Sequence, residues 1–288
     1  MSIRRKASRL SNKPSAKYRY YEAAVQSPDV SAAFLDYAYH DLNRRRPLLM
    51  REDFCGTFLN SIAWIKRHRD TFALGLDLDP EPLAYGRQNH LRKLARHEQK
   101  RMRLLKMDVR ETTRPAADVC LAANFSFFIF KTEQELVRYF KAVRRSLAAG
   151  GLLAVEIAGG PSFVRAMRES KTLKRGNRPW FKYTWHQKKF NPIDHHGSYA
   201  IHFDFPSGRR MKDAFTYDWR VWTIPEVRHA MKQAGFPETY VYWEEQDDDG
   251  EDTGVYTRHE RANNDYSWIC YVVGHRPLKK TKPSKGKE

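Results

Sequence analysis

Apolar residues recur along this chain with two different periods, and the switches between them mark out its elements. Over residues 29–43 (DVSAAFLDYAYHDLN), Ala33, Phe34, Tyr37, Ala38 and Leu42 fall on one helical face. Pro47 ends that pattern, because a prolyl ring breaks the helical hydrogen-bond ladder. The short apolar run PLLMREDF then predicts a strand, and CGTFLNSIAWIKRH a turn followed by a helix. TFALGLDL reads as a second strand. Asp79-Pro80 opens the next helix, with proline in the first turn where its missing N–H costs nothing, and the helical pattern runs to about residue 99. RMRLLKMD and ADVCLAANF are the third and fourth strands. KTEQELVRYFKAVRRSL is an amphipathic helix stopped by Ala149-Gly150-Gly151, and GLLAVEIA is a fifth strand. Strand and helix alternating over residues 47–158 predict an α/β fold with a doubly wound, mostly parallel sheet.

Beyond residue 160 the period changes. WFKYTWHQKKF, SYAIHFDF and RRMKDAFTYDW alternate aromatic and polar residues, separated by the turns NPIDHHG and PSGR. This pattern predicts an inserted antiparallel meander over about residues 176–219. IPEVRHAMKQAG returns to a helix closed by Gly235, and PETYVYWEE and SWICYVVGH add two strands, which makes a seven-stranded main sheet.

Composition narrows the class. A chain of 288 residues with 41% hydrophobic and 13% aromatic residues is long enough for one large domain carrying an insertion. No apolar run reaches 18 residues, which argues against a membrane span. The first 21 residues, MSIRRKASRLSNKPSAKYRYY, lack the apolar core of a secretory signal. They are rich in Arg and Ser and free of acids up to Glu22, which suits an organelle transit peptide as well as a cytoplasmic protein. Cys55, Cys120 and Cys270 form no CxxC pair, so neither a zinc site nor a dithiol is expected, and a reducing compartment is.

The net charge of +18 is unevenly placed. Residues 1–20 carry seven Lys and Arg and no acid, and residues 276–288 carry six against Glu288. The domain division expected is a flexible basic tail over 1–20, a body over 21–275 with a net charge of only +6, and a second flexible basic tail over 276–288.

Candidate chemistry sits at the strand ends. In a doubly wound sheet, ligands bind beyond the carboxyl ends of the strands, at the switch point beside the first. Three of those ends carry acids here: Glu52-Asp53, Asp77 and Asp108. A nucleoside needs a carboxylate for its ribose hydroxyls at the second strand end, and Asp77, 21 residues beyond Gly56, suits that role. Asp108 is placed to accept from an adenine amino group. The first loop, Glu52-Asp53-Phe54-Cys55-Gly56-Thr57-Phe58, has one glycine. A pyrophosphate needs close backbone approach at such a loop, whereas a nucleoside without phosphate relaxes the demand. The loop therefore favours S-adenosylmethionine over NAD or FAD.

Taken in order, REDFCGT, GLDLDPEPL, MDV, ADVCLAANFSF, SLAAGGLLAVE and QAGF resemble the class I S-adenosylmethionine-dependent methyltransferases over about residues 45–160 and 215–275. More narrowly, REDFCGT with NFSFFIFKT, AFTYDWRVWT and VYWE is similar to a bacterial methyltransferase-like group of unknown substrate. The resemblance implies a Rossmann-like seven-stranded sheet with an antiparallel lid over the acceptor, and S-adenosyl-L-methionine as cofactor. It implies cofactor contacts from Glu52, Phe54, Gly56, Asp77, Leu78, Asp108, Val109 and Asn124. Where the family's loop reads GxGxG, this chain has Phe54, Gly56 and Phe58, so two of the three glycines are replaced. Asn124 and Phe125 stand where the family presents the methyl group, and Asn124-Phe125-Ser126-Phe127 partly resembles the Asn-Pro-Pro-Tyr/Phe motif of amino-group methyltransferases without its prolines.

Several other features read as ordinary structure. The meander's Trp180, Tyr183, Trp185, His202, Asp204, Tyr217, Asp218 and Trp219 are mostly packing residues at strand spacing. His195-His196 lacks a metal-ligand partner at standard spacing. Glu245, Asp247 and Asp249 before Gly250 mimic the start of a calcium loop, but the twelfth position counted from Glu245 is Tyr256, so no metal site is expected. Three readings compete for the partner. The leading one is a small-molecule acceptor under the lid. An RNA acceptor is the alternative, held by the basic tails and by a stripe of Arg92, Lys93, Arg96, Lys100, Arg101, Arg103 and Lys106. The third is a non-catalytic nucleic-acid-binding protein on a methyltransferase fold, with the replaced glycines as its support.

Overall fold

The computed structural model describes residues 16–278. The chain opens with two helices, α1 (Lys17–Val25) and α2 (Pro28–Asn43). It then alternates: β1 (Leu49–Asp53), α3 (Leu59–Arg67), β2 (Phe72–Asp77), α4 (Pro80–Asn89), a short α5 (Arg96–Gln99), β3 (Met102–Lys106), β4 (Ala117–Ala122), α6 (Glu133–Ser146) and β5 (Leu147–Gly159). Four strands follow without a helix: β6 (Met167–Arg175), β7 (Arg178–Phe190), β8 (His196–Asp204) and β9 (Arg210–Arg220). The last elements are α7 (Ile224–Gln233), β10 (Glu238–Gln246), β11 (Asp252–Arg258) and β12 (Trp268–His275).

The main sheet has the order β11-β10-β12-β5-β4-β1-β2-β3. Strands β1 to β5 are parallel, and β12, β10 and β11 are added antiparallel beyond β5. Side chains alternate between two apolar layers, as a strand covered on both faces requires. Cys120, Ala122, Leu153, Val155 and Val272 face one core with α6 and α7. Val119, Leu121, Leu152, Ala154 and Tyr271 face the other with α2 and α3.

The same alternation splits β1. Met50 and Glu52 belong to the α3 side, whereas Arg51 and Asp53 point under α6. Both Arg51 and Asp53 are fully buried and form an ion pair at 2.6 Å. Arg51 spends its remaining donors on the carbonyls of Val109 (2.6 Å) and Glu111 (3.1 Å) and on the Ser146 hydroxyl (2.9 Å). Asp53 accepts from the Tyr139 hydroxyl at 2.8 Å. One ionic cluster thus ties β1 to the loop after β3 and to α6.

The second sheet, β6-β7-β8-β9, is antiparallel throughout and is inserted between β5 and α7. Helix α1 joins it to the main body. Tyr20 packs on Phe181 and Phe205, with ring centroids 5.1 and 4.8 Å apart, while Tyr18 packs on Tyr85 at 5.2 Å and Glu22 pairs with His90 at 2.7 Å.

Four sequence expectations are corrected. The main sheet has eight strands, not seven. The added strand, β11, is a charged edge whose one buried side chain is Tyr256, so it carries almost no apolar signal. The insertion starts at Met167 rather than near 176, because β6 is an edge strand of mostly exposed charged residues held by backbone pairing to β7. Residues 17–20, assigned to the basic tail, lie in α1, where Tyr18 and Tyr20 are buried. The rest of that tail, residues 1–15, and residues 279–288 lie outside the described residues. The helix expected to reach residue 99 breaks after Asn89, whose side chain bonds back to the Tyr85 carbonyl. Past the break, Leu91 and Leu94 pack against the Phe58 cluster.

Removing one partner of a buried ion pair leaves the other charge uncompensated. Asp53→Ala is therefore expected to destabilise the protein by about 3–5 kcal/mol, read as a lower urea midpoint. A loss under about 1 kcal/mol, the range of a surface pair, would show that the cluster does not hold the fold.

Candidate functional site

The first loop takes the left-handed backbone at three positions, only one of them a glycine. Phe54, Gly56 and Phe58 all adopt the left-handed conformation, with φ of 54°, 53° and 56°. Such a φ costs a non-glycine residue roughly 1–2 kcal/mol, so surrounding packing must over-determine it. Both phenyl rings turn away from the turn. Phe54 packs on Phe130 and Tyr139 at centroid distances of 6.1 and 5.8 Å, and Phe58 is wholly buried beside Ile62 and Leu83. Gly86 of α4 makes room for the Phe58 ring. Above Gly56 itself an added Cβ would meet nothing within 4 Å, so the turn presents bare backbone to open space.

Asp77, at the end of β2, is half-buried and accepts from the Gly56 N–H at 2.8 Å and the Asp79 N–H at 2.9 Å. Each carboxylate oxygen keeps a lone pair for a further donor. Burial raises its pKa, against the pull of those two N–H groups. Leu78 beside it is 58% exposed, an apolar surface next to the carboxylate. Asp108 is engaged by Arg110, whose Nη2 lies 2.7 Å from Oδ2, and that guanidinium holds its pKa below the usual range. Val109 is buried, and its carbonyl is the one bonded by Arg51.

Glu52 does not reach the open side of the turn. It is 2% exposed and accepts from Asn60 at 3.0 Å and from the backbone N–H of Ser61 at 2.8 Å. Burial pushes its pKa up to about 7, although these donors oppose the shift. Its visible work is to fix the start of α3, behind the turn.

Asn124 and Phe125, just past β4, also have positive φ, 54° and 56°. The sharp turn brings the Asn124 N–H to the carboxylate of Glu156 on β5. Together with Phe125 they form one wall of a cavity of about 600 Å³. The opposite wall is the inserted sheet, through Tyr183, Trp185, Tyr217 and Trp219, and α1 adds Tyr21. The insertion therefore covers the carboxyl ends of β4 and β5, on the same edge as Asp77. Of the other meander residues, Trp180 stacks against the Arg175 guanidinium at 3.7 Å, His202 faces His186 at 3.2 Å, and Asp218 pairs with Lys131 at 2.9 Å. None of these three lines the cavity.

Two contributors were missed from sequence. Glu156 is the one acid inside the apolar run GLLAVEIA, which is a legible signal. Tyr21 stands at the first position after the expected basic tail, in a stretch to which no element was assigned. Among the described residues no group of three or more His, Cys, Asp or Glu could hold a metal ion. The Asp247 carboxylate instead accepts the N–H groups of Asp249 and Glu251 within its own turn.

Alanine in place of a helix-interior glycine ordinarily gains up to about 1 kcal/mol. At Gly86 a Cβ would collide with the buried Phe58 ring and stand 2.7 Å from the Thr57 carbonyl oxygen. Gly86→Ala is therefore expected to lose about 1–3 kcal/mol by chemical denaturation. A stabilised variant would refute the role given to this contact.

No protein-family model and no curated protein matches the chain. Solved structures do match. An S-adenosylmethionine-dependent methyltransferase from Clostridium acetobutylicum aligns with a TM-score of 0.64 at 16% identity, over 89% of this chain and 96% of its own. DesVI of Streptomyces venezuelae aligns at 0.66 and 16% identity, over 92% and 99%. CalS10, an amino pentose methyltransferase from Micromonospora echinaspora solved with its cofactor bound, aligns at 0.63 and 16% identity, over 89% and 95%. At this identity the likeness is one of fold: the chain has the fold of S-adenosylmethionine-dependent methyltransferases over nearly its whole described length.

Proposed function

We propose that this chain transfers a methyl group from S-adenosyl-L-methionine to a small-molecule acceptor. The observation that carries the reading is a nucleoside cradle and an aromatic cavity side by side on one edge of the sheet. Asp77, the Gly56 backbone and Leu78 form the cradle, and Asn124 and Phe125 stand between it and the cavity. The fold shared with DesVI and CalS10 supports the same reading, as does the printed description of KedS8, another fold match at a TM-score of 0.62, as a sugar N-methyltransferase.

The residues present fit the cofactor. Asp77 has acceptor capacity for both ribose hydroxyls, and Leu78 offers an apolar face for the adenine ring. Asp108 and the Val109 backbone take the adenine edge, with Asp108 held in place by Arg110 through both of its oxygens. Asn124 closes the methionine end. When bound, the cofactor supplies an electrophilic methyl group on a sulfonium with an excellent leaving group. What remains for the protein is to align the acceptor and keep water out. The inserted sheet does this through its aromatic wall, and Phe125 meets Trp219 of that wall edge-on at 6.2 Å between centroids.

The rival readings lose ground on particular residues. In the basic stripe, Arg101 spends one nitrogen on the carbonyls of Ile65, His68 and Thr71. Arg103 and Lys106 lie on β3, the edge of the main sheet, where charged side chains discourage pairing with another chain. Lys17 pairs with Glu81 and Arg276 bonds the Leu147 carbonyl, so both are tied to the body. The non-catalytic reading rested on the replaced glycines, and the loop keeps its left-handed backbone at all three positions.

Losing a bidentate charged acceptor costs roughly 1.5–3 kcal/mol. Asp77→Ala should therefore weaken S-adenosylmethionine binding by about tenfold or more in calorimetry, with the circular dichroism spectrum unchanged. Protein purified without added ligand should carry S-adenosylhomocysteine or S-adenosylmethionine in its mass spectrum. Wild-type protein that binds neither would end the methyltransferase reading, and an Asp77→Ala variant of undiminished affinity would end the assignment of that residue.

A further inference from the structure

Glu156 has a use that the cofactor does not account for. It projects from β5 opposite Tyr271 of β12 and lines both the 600 Å³ cavity and a second one of about 340 Å³. The two cavities share Val25, Asn124, Glu156 and Ile269, so this carboxylate stands at their junction.

Among the described residues no cation neutralises it. The groups that act on Glu156 are the Asn124 N–H, the Tyr271 hydroxyl and the carboxylate of Glu244 on β10. Tyr21 of α1, Tyr256 of β11 and Cys270 of β12 also sense its charge. The charged residues of the larger cavity are Glu156, Glu169 and Lys171, two acids against one base in a protein of net charge +18. Much of the remaining wall is aromatic, with Tyr21, Phe125, Phe163, Tyr183, Tyr217 and Trp219, interspersed with small, aliphatic and neutral polar residues such as Ser162 and Gln187. A half-buried carboxylate without a cation, inside a cage of ring faces, is complementary to an organic cation.

We infer that Glu156 binds the acceptor's nitrogen and takes its proton, and hence that the acceptor is an amine. The inference rests on the methyltransferase reading and specifies its substrate class. The step balances. An ammonium N–H passes its proton to Glu156, giving a free amine and a neutral carboxyl group. The nitrogen lone pair then forms the bond to the methyl carbon as the carbon–sulfur bond breaks, its electron pair staying on sulfur. The product is a methylated ammonium, and the proton on Glu156 leaves to solvent through the cavity. Burial pushes the carboxyl pKa up to about 7, closer to that of an amine and so better suited to receive its proton. An alcohol, with a pKa far higher and no charge to match, gains nothing from this group.

The test compares isosteric pairs that differ only in ammonium against hydroxyl: benzylamine with benzyl alcohol, and cyclohexylmethylamine with cyclohexylmethanol. Binding is followed by ligand-observed NMR on the full chain, with and without S-adenosylhomocysteine. The amines are expected to bind about tenfold or more tighter than the alcohols, the effect of one charge-assisted contact. Glu156→Gln keeps an acceptor for the Asn124 N–H and should erase that preference while leaving S-adenosylhomocysteine affinity within about twofold. Equal binding of amine and alcohol to the wild-type protein, no binding of either amine, or a preference that survives in Glu156→Gln would overturn the inference. Failure of S-adenosylhomocysteine to bind would instead strike the methyltransferase reading, since the amine preference is measured without it as well.

Discussion

The buried pair Arg51–Asp53 is the constraint from which the rest of the site takes its geometry. A guanidinium wholly out of water must have every donor met, or it costs several kcal/mol. Arg51 meets that demand with Asp53 on its own strand, Ser146 on α6, and two carbonyls of the loop after β3. That loop contains Asp108 and Val109. The distance between the turn after β1 and the loop after β3 is therefore set from beneath, by hydrogen bonds, rather than by contacts within an open cleft. The cost of desolvating the ion pair is the cost of holding these two loops in register.

The second constraint is aromatic. Three left-handed residues in one loop, two of them phenylalanine, would be unstable in isolation. Phe54 is held in one core layer and Phe58 in another, and Gly86 gives up its side chain to admit the second ring. Packing on both sides thus holds a backbone that glycine would adopt without strain. Helix α1 plays a similar part at larger scale. Its tyrosines face the inserted sheet on one side and α4 on the other, so a single nine-residue element closes the cavity and braces the loop region together.

Much of the fold was legible in the chain. The parallel strands alternate with amphipathic helices and are buried on both faces, which leaves continuous apolar runs such as ADVCLAANF and GLLAVEIA. The aromatic strands β7, β8 and β9 announced themselves by period-two alternation. The elements that escaped share one property. β6, β11 and α1 are held by backbone pairing or by a few aromatic contacts to distant parts of the chain, and their own sequences are polar. An edge strand needs only its backbone to join a sheet, so nothing in MRESKTLKR or DTGVYTR has to reveal it.

The sequence by itself determined which chemical groups are available at the carboxyl edge: Gly56, Asp77, Leu78, Asp108 and Asn124, each at a strand end whose position follows from hydrophobic periodicity. It also placed an acid, Glu156, where a strand should be apolar. Only the tertiary structure decided what each group does. Local sequence cannot tell whether a carboxylate at a strand end faces a cleft or a helix, because the two faces of a strand differ by a single residue. That one-residue alternation sends Asp53 to Arg51 and Tyr139 and turns Glu52 toward Ser61, while the turn after β5's neighbour brings Asn124 onto Glu156. Whether a carboxylate is matched by a cation is likewise a property of neighbours far away in sequence, which is why the unpaired charge of Glu156 emerges only once β5, β12 and the inserted sheet are packed around it.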